Sequence, residues 1–324
     1  MKYVVVGATG LVGQAMVACL LRAGIPSNAI SCIASLRSAG KTLSILDTEF
    51  IVQALEKWTF GENQIALFSA GGDISKQWVP VATQAGAIVI DNSSIFRLDK
   101  DVPLLVPEIN PECLEAGIKR RLIANPNCST IQLVVALKPL LEKFGLTSVN
   151  VSTYQAISGA GSQAVNTFKT GLVNQGVSFL NCLPSIDLLQ DNGYSKEEMK
   201  VVYETQKILG LPTLEVNVTA VRVPILNGHS EAVSVTCATP VSLEECIECL
   251  QTGAGLQVYT GGNIFTVGQL GDNNPLVHIS RIRKSLFNDH TVHFWVVADN
   301  LLKGAAYNSV QIAKHLTNQL VASN

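Results

Sequence analysis

The first thirteen residues constrain the fold of this chain more than any other stretch. A short apolar run, Tyr3 to Val6, is followed at once by the motif GATGLVG, with glycines at positions 7, 10 and 13. The next residues carry apolar side chains at helical spacing as far as Leu20. A strand, a glycine turn and a helix in this order are typical of a dinucleotide site, because glycines let the backbone approach a pyrophosphate at the helix N-terminus. Glycine turns also join strands to helices for packing reasons alone.

Later segments extend this opening into an α/β domain. Three further apolar runs, Ile30 to Ala34, Ile65 to Phe68 and Ala87 to Ile90, are typical of buried parallel strands, and small or polar residues follow the last two as SAGG and DNSS. We therefore predict an N-terminal domain of the Rossmann type.

The pattern of apolar and polar residues changes after a helix predicted at 129–143. Alternating apolar and polar residues then predict strands in an α+β domain with a mixed, largely antiparallel sheet, at 149–154, 215–223, 232–239 and 291–297. A chain of 324 residues normally divides into two domains. We expect residues 1–127 and about 301–324 in the nucleotide domain, and 128–300 in the second.

Composition narrows the class of ligand. The net charge of −2 offers no basic field for nucleic acid or for an anionic membrane, and no apolar run approaches the roughly 20 residues of a membrane span. The eight cysteines are scattered, which favours reduced thiols and a cytoplasmic location. The Cys246-x-x-Cys249 pair lacks a second ligand pair and falls in a helix predicted after Ser242, so we expect no metal site.

One cysteine differs from the others. Cys128 lies in NPNCST, directly before the apolar helix predicted at 129–143. A thiol at a helix N-terminus feels the positive end of the helix dipole, which favours a nucleophilic thiolate. His229, in RVPILNGHSE, is a candidate partner base, although a histidine in such a turn equally often only caps a loop.

The loop after the second strand bears on the cofactor. It reads SLRSAGK and lacks the acidic residue that binds a ribose 2′-hydroxyl in NAD sites. Arg37 can bind a phosphate with Ser35 and Ser38 as additional donors, which predicts NADP as the cofactor. The alternative is an ordinary solvated basic loop.

Taken in order, the motifs resemble those of the aspartate-β-semialdehyde dehydrogenase family over nearly the whole chain. They are GATGLVG at 7–13, SLRSAGK at 35–41, SAGG at 69–72, DNSSIFR at 91–97, NPNCSTIQ at 125–132, TYQAISGAG at 153–161, RVPILNGHSEAV at 222–233 and DNLLKGAAYNSVQIA at 299–313. The resemblance implies reversible, NADP-dependent reductive dephosphorylation of β-aspartyl phosphate to L-aspartate 4-semialdehyde and phosphate. This reaction serves the biosynthesis of lysine and diaminopimelate, threonine, methionine and isoleucine.

The resemblance also implies roles for individual residues. Cys128 would form the thioacyl intermediate, His229 would be the acid/base, and Gln155 would orient the acyl group. Arg222 would bind the α-carboxylate and Glu197 the α-ammonium, while Arg97, Asn92 and Lys200 would bind phosphate. Ser158, Gly159 and Asn300 would lie near the nicotinamide. The remaining cofactor residues would be Gly7, Thr9, Gly10, Leu11, Val12, Gly13, Ser35, Arg37, Ser38 and Ser69.

Two further expectations concern the charged run before Lys200 and the oligomeric state. The spacing of three to Lys200 selects Glu197 over Glu198, and Glu198 is then expected to be a solvated neighbour. The run could instead be an exposed charged helix end. The resemblance implies a homodimer or homotetramer, and the segment 179–184 is a candidate interface or core piece.

Two other functions compete with this one. An N-acetyl-γ-glutamyl-phosphate reductase shares the domain plan and the cysteine chemistry, but an acylated amine would not need Glu197. A catalytically silent homologue is the other, and the joint presence of Cys128, Gln155, Arg222 and His229 argues against it.

Overall fold

The computed structural model describes residues 1–170 and 181–322. Their contacts divide the chain into two compact units, Met1–Pro126 with Ala305–Asn324, and Asn127–Gly304. Each unit contains its own six-stranded sheet.

The first unit is built on a parallel sheet with strand order β5-β2-β1-β6-β7-β8. Its strands are β1 (Lys2–Val6), β2 (Ile30–Ala34), β5 (Gln53–Ala54), β6 (Gln64–Phe68), β7 (Ile88–Asp91) and β8 (Leu122–Ala124). The antiparallel pair β3 (Thr42–Ile45) and β4 (Thr48–Ile51) forms a separate small sheet. The helices are α1 (Leu11–Arg22), α2 (Gly72–Gln84), α3 (Leu114–Arg120) and α8 (Tyr307–Ala322).

Burial explains why these strands are apolar throughout. Val4, Val5 and Val6 are fully buried, as expected for a central strand that is covered on both faces. The C-terminal helix α8 belongs to this unit and packs against α1. A hydrogen bond of 2.7 Å between the hydroxyls of Tyr3 and Thr317 joins the two ends of the chain.

The second unit contains a mixed sheet with strand order β10-β9-β11-β14-β13-β12. Its strands are β9 (Leu146–Gln155), β10 (Glu215–Arg222), β11 (His229–Cys237), β12 (Leu256–Val258), β13 (Val277–Lys284) and β14 (Thr291–Ala298). The outer pairs β10–β9 and β12–β13 are parallel, and the three inner pairs are antiparallel. The helices are α4 (Cys128–Phe144), α5 (Ser162–Lys169), α6 (Lys196–Leu209) and α7 (Leu243–Gln251).

Alternation along the strands of this sheet separates two faces. On β11, Val233 and Val235 are buried, whereas Ala232 and Ser234 are only half-buried. Helix α4 contacts strands β9, β11, β13 and β14, so it covers the buried face of the sheet. Helix α4 and strand β11 thus lie in adjacent, contacting layers of this unit.

The predicted fold class is confirmed, with differences in detail. At the C-terminus a π-helical turn, Leu302–Ala306, precedes the regular helix α8. Strand β13 was not predicted, because its polar second half, SRIRK, hides the pattern. Of the predicted 179–184 segment, Phe179 and Leu180 lie outside the described residues, and Cys182 is exposed.

Three further features concern the cysteines, the possible metal ligands and the length of the helices. The eight cysteines all lie in the described part of the chain and occur there as thiols. Within that part, no group of three or more His, Cys, Asp or Glu side chains could hold a metal ion. Among the described helices, none is long and apolar enough to cross a bilayer.

Candidate active site

Cys128 is the first residue of helix α4. The preceding residue, Asn127, caps the helix, because its side-chain oxygen accepts hydrogen bonds from the backbone N–H groups of Ser129 at 2.9 Å and Thr130 at 3.3 Å. A capped N-terminus is rigid and carries the positive end of the helix dipole. The half-buried thiol is therefore fixed at a point that favours a thiolate.

His229 faces this thiol. Its Nε2 lies 3.3 Å from the Cys128 sulfur, and the ring is completely buried at the start of β11. The backbone N–H of Ala156 donates to Nδ1 at 3.0 Å. Because Nδ1 accepts this hydrogen bond, the neutral imidazole must carry its proton on Nε2, the atom that faces the sulfur.

The electrostatic surroundings keep His229 neutral. Burial is the largest effect and lowers the pKa of His229 to about 3, with a further lowering by the positive charge of Arg222. The negative charge of Glu197 acts in the opposite direction and is outweighed. At neutral pH the histidine is therefore a hydrogen-bond donor through Nε2.

Two glycines make room for this pair. A Cβ atom on Gly304 would lie 2.7 Å from the Cβ of Cys128, closer than side chains pack. A Cβ atom on Gly159 would lie 3.0 Å from Nη1 of Arg222 and 3.3 Å from Nε2 of His229. Gly159 was predicted to lie near the cofactor, and the structure places it directly against His229.

Glu197 lies at the centre of a polar cluster beside the nucleophile. One carboxylate oxygen accepts hydrogen bonds from the side-chain amides of Asn127 at 2.8 Å and Gln155 at 3.3 Å. The other oxygen is 3.0 Å from the ammonium of Lys200, which also lies 3.1 Å from Asp187. Burial raises the pKa of Glu197, but the attraction of Lys200 and these hydrogen bonds outweigh it and hold the pKa below its ordinary value.

Arg222 supplies a cation to the same cluster. It ends strand β10, where it pairs in register with Gln155 of β9. Its guanidinium donates to the backbone carbonyl of Ala156 and interacts electrostatically with Cys128 and Glu197. Burial lowers the pKa of Arg222, yet a guanidinium stays charged at neutral pH. A half-buried cation therefore interacts with both the thiol and the buried carboxylate of Glu197.

Ser158 and Asn300 support the loop that precedes His229. The Asn300 amide donates to the Ser158 hydroxyl at 3.0 Å, and its oxygen accepts the backbone N–H of Gly228 at 2.8 Å. The hydroxyl of Ser158 also lies 3.2 Å from the Asn227 side-chain oxygen. These bonds fix the turn that positions the histidine; the predicted proximity of Ser158 and Asn300 to a nicotinamide stays a prediction.

The structure corrects the expectation for Glu198. This residue was expected to be solvated, but only 7% of its surface is exposed. It forms a capping box with Ser195 at the start of α6 and accepts the backbone N–H of Ala220 at 2.9 Å. Glu198 therefore positions the helix that carries Glu197. The charged run is not an exposed helix end.

Several contributors to this site were missed from sequence. Asn127 is one, and its backbone N–H donates to the buried Glu204 at 2.6 Å. Asp187, Gly304 and the N–H of Ala156 are others. A capping asparagine directly before a helical cysteine is a detectable signal, whereas the other three contacts depend on long-range packing.

The first unit contains a separate cleft of about 380 Å³. Five residues predicted to bind the cofactor line it: Gly7, Thr9, Gly10, Ser35 and Ser69. A Cβ atom on Gly7, which has a φ of 87°, would lie 2.4 Å from the backbone oxygen of Ser69. The close backbone approach that a pyrophosphate site requires is therefore present.

The other cofactor residues predicted in the first unit do not line this cleft. Gly13 packs the start of α1 onto the β1 turn, since a Cβ there would meet the Gly7 oxygen at 2.1 Å. Leu11 and Val12 form the first turn of α1. Arg37 is exposed and Ser38 half-buried on a 3₁₀ turn after β2. Glu56 and Trp78 also line the cleft and were not predicted.

Asn92 and Arg97 belong to the first unit, in the loop after β7. The guanidinium of Arg97 is buried and donates from Nη2 to the backbone oxygen of Asn92 at 2.9 Å. The buried carboxylate of Asp91 accepts hydrogen bonds from Ser75 at 2.6 Å and Ser93 at 2.5 Å. These bonds fix the loop that carries Asn92 and Arg97.

A glycine-lined nucleotide cleft in one unit and a capped cysteine facing a neutral histidine in the other define a class. The protein is a nucleotide-dependent dehydrogenase, and Cys128 is its candidate nucleophile. Known proteins agree with this class. The family model for a semialdehyde dehydrogenase NAD binding domain matches residues 2–116, and that for a semialdehyde dehydrogenase dimerisation domain matches residues 137–303.

Full-length relatives specify the family. Aspartate-semialdehyde dehydrogenase 2 of Vibrio cholerae is 43% identical over 96% of both chains. The crystal structure of aspartate semialdehyde dehydrogenase II complexed with ASA from the same organism superposes with a TM-score of 0.93 at 41% identity over 98% of both chains. Aspartate semialdehyde dehydrogenase with NADP from Candida albicans gives 0.76 at 27% identity, again over 98% of both chains.

The chain therefore belongs to the aspartate-semialdehyde dehydrogenase family, and the resemblance predicted from its motifs is confirmed. It is an enzyme of amino-acid biosynthesis with a nicotinamide dinucleotide cofactor. Neither an acetylglutamyl phosphate reductase nor a silent homologue fits these relatives.

Proposed function

We propose that this enzyme interconverts β-aspartyl phosphate with L-aspartate 4-semialdehyde and phosphate, using NADP, through a thioacyl intermediate on Cys128. The observation that carries the proposal is the 3.3 Å contact between the Cys128 sulfur and Nε2 of a neutral His229 at a capped helix N-terminus. Such a pair is built to make and to release a thiolate.

The glycine cleft of the first unit fits the dinucleotide. Gly7 and Gly13 leave no room for a Cβ atom, which is the backbone packing that a pyrophosphate at a helix N-terminus needs. We propose NADP rather than NAD as the cofactor, because the side chains of Arg37, Ser35 and Ser38 can bind a 2′-phosphate. When bound, the nicotinamide exchanges a hydride with the carbonyl carbon of the acyl group.

The covalent step is carried by Cys128. Its thiolate attacks the acyl carbon of β-aspartyl phosphate, so that a sulfur–carbon bond forms while the bond from carbon to the phosphate oxygen breaks. Phosphate leaves with the electron pair, and a thioester remains on the enzyme. The thioester keeps an electrophilic carbonyl, which is why a thiol suits the reaction.

His229 manages the proton of the reaction at Nε2. In the resting site the Nε2–H group donates to the Cys128 sulfur and stabilises the thiolate. When the thioester has become a tetrahedral hemithioacetal, the same N–H group can be shared with its oxygen. Collapse of the hemithioacetal breaks the sulfur–carbon bond and returns the thiolate to its hydrogen bond with His229.

The charges of the second unit suit an amino-acid substrate. Arg222 is proposed to bind the α-carboxylate, and Glu197, which stays ionised, the α-ammonium. Gln155 donates to Glu197 and would orient the acyl group. Lys200, together with Asn92 and Arg97 of the first unit, is proposed to bind phosphate.

Two further properties follow from the family and the composition. The match to a dimerisation domain supports a homodimer, with a homotetramer as the alternative that native mass spectrometry would distinguish. Eight thiols without disulfides in the described residues support a cytoplasmic location.

Cys128→Ala tests the covalent route. We expect turnover to fall by on the order of a thousandfold or more, as for other removed nucleophiles, while NADP binding is unchanged. Incubation of the native enzyme with the semialdehyde and NADP, without phosphate, should add an acyl group to the peptide that contains Cys128. Cys182→Ala removes an exposed thiol and serves as the control. Substantial turnover by Cys128→Ala would overturn the mechanism.

A further inference from the structure

Three asparagine side chains of the first unit form a continuous chain of hydrogen bonds. Asn308, on helix α8, donates from Nδ2 to the side-chain oxygen of Asn125 at 2.7 Å. Asn125 in turn donates from Nδ2 to the side-chain oxygen of Asn92 at 2.7 Å. Asn125 and Asn308 are completely buried, and Asn92 is half-buried. This series of hydrogen bonds therefore runs from the interior of the unit to the loop proposed to bind phosphate.

The direction of these hydrogen bonds is fixed at the buried end. Asn308 also donates from Nδ2 to the backbone carbonyl of Leu105 at 3.0 Å. A backbone carbonyl only accepts hydrogen bonds, so the amide of Asn308 must present its NH₂ group on this side. Its second hydrogen then meets Asn125, which must answer with its oxygen. The NH₂ group of Asn125 is left to face Asn92.

Asn92 is the last amide of the chain, and its orientation follows from the others. Its oxygen accepts from Asn125, which leaves its NH₂ group as the end that an outside ligand can meet. An NH₂ group donates to an anion, whereas an amide oxygen would repel one. The backbone oxygen of the same residue accepts from Arg97 at 2.9 Å, so a cation and an oriented donor share one short loop.

We propose that Asn125 and Asn308 are positioning residues that hold the Asn92 amide with its NH₂ group toward the phosphate of the reaction. This inference rests on the proposed function in taking Asn92 as a phosphate ligand. Neither Asn125 nor Asn308 needs to touch the phosphate. Each acts by excluding the amide orientation in which Asn92 would present its oxygen.

Asn125→Asp tests this chain of amides. A carboxylate at position 125 still accepts from Asn308 but cannot donate to Asn92, so the Asn92 amide should turn and present its oxygen to phosphate. In the phosphate-dependent oxidation of the semialdehyde, we expect the KM for phosphate to rise at least tenfold. The KM values for NADP and the semialdehyde should change less than twofold. Equal increases in all three would indicate a merely structural role and overturn the proposal.

Asn308→Asp repeats the test from a greater distance. A carboxylate there would turn Asn125, and Asn125 would in turn reverse Asn92, so the KM for phosphate should again rise. Asn308→Leu is the matched control, because it removes the donor to Asn125 without offering an acceptor, and it should have the smaller effect. If Asn308→Leu equals or exceeds Asn308→Asp, the directional argument is wrong.

The negative charge of an introduced aspartate could repel phosphate by itself, and Asn92→Ala separates the two effects. In an Asn92→Ala background, Asn125→Asp should raise the KM for phosphate no further, since the residue it acts through is absent. A further increase there would show that charge alone is responsible and would overturn the proposal. If Asn92→Ala itself leaves the KM for phosphate unchanged, the phosphate assignment of Asn92 in the proposed function fails first.

Discussion

The nucleotide cleft of the first unit and the nucleophile site of the second are built by opposite means. The cleft depends on short-range backbone geometry, because Gly7 and Gly10 lie in the turn between β1 and α1 and Gly13 lies in the first turn of α1. The nucleophile site depends on side chains from distant segments, since Cys128 meets His229 across 101 positions of sequence. Local geometry leaves a compact sequence motif, whereas a site assembled by packing leaves separate residues.

The polar interactions of the two regions differ in the same way. In the nucleophile site, Glu197 is held by Asn127, Gln155 and Lys200, so its ionisation depends on three other side chains. In the cleft, the geometry depends on close backbone contacts that leave no room for a Cβ atom at Gly7 or Gly13. A change in the cleft should therefore act on cofactor affinity, and a change in the nucleophile site on the chemical step.

Gly304→Ala should have the largest effect. It introduces beside Cys128 the kind of steric conflict that glycines prevent in the cleft. The added Cβ would lie 2.7 Å from the Cβ of Cys128, so the nucleophile must move. Displacement of a reacting group by about 1 Å can cost on the order of a hundredfold in rate. We expect kcat to fall by about that factor in steady-state assays, with NADP affinity unchanged.

Gly271→Ala is the control for this substitution. Gly271 is exposed, and a Cβ atom there would meet nothing within 4 Å. Its activity should equal that of the native enzyme. A Gly304→Ala enzyme with native kcat would show that the structure around Cys128 can accommodate the added Cβ without loss of rate, which would contradict this prediction.

Sequence reasoning succeeded where local geometry dictates the residues. The parallel strands of the first unit were predicted from a glycine turn and continuous apolar runs, and helix α4 was predicted from NPNCST and the apolar residues after it. It failed for Glu198, whose burial depends on a long-range bond to Ala220. It also could not find the hydrogen bond from Ala156 to His229, because a backbone donor leaves no side-chain signature.

Ala156→Pro tests the contribution of one backbone N–H group to the site around Cys128 and His229. The φ of Ala156 is −68°, which proline adopts, so the backbone can keep its conformation. The ring removes the N–H group that bonds His229 and places its Cδ carbon where that hydrogen pointed, against Nδ1. An unsatisfied buried acceptor costs about 1 to 3 kcal/mol, and the Nε2–H form loses its preference. We expect kcat to fall roughly tenfold. Ala156→Gly keeps the N–H group and is the control.

The pH profile distinguishes this effect from simple misfolding. In the native enzyme the pKa of His229 is lowered to about 3, so the ring stays neutral as the pH falls through the mildly acidic range. Without the Ala156 donor, Nδ1 can take up a proton, and the pKa of His229 should rise. The acid limb of the kcat profile should therefore move to higher pH in Ala156→Pro but not in Ala156→Gly. An unchanged limb would argue against control of the tautomer by this N–H group.

Arg37→Ala should have the smallest effect. Arg37 would contribute to cofactor binding through its side chain, whereas the glycines contribute through the backbone. Arg37 is exposed, so solvent screens its attraction for a 2′-phosphate, and we expect the preference for NADP over NAD to fall only about severalfold to tenfold. Glu56→Gln is the matched variant, because this acid lines the cleft and would repel a phosphate there. It should lower the KM for NADP slightly. Parallel kcat/KM measurements with both cofactors decide the matter: equal changes for NADP and NAD in Arg37→Ala would remove this residue from cofactor selection and leave the choice to Ser35 and Ser38.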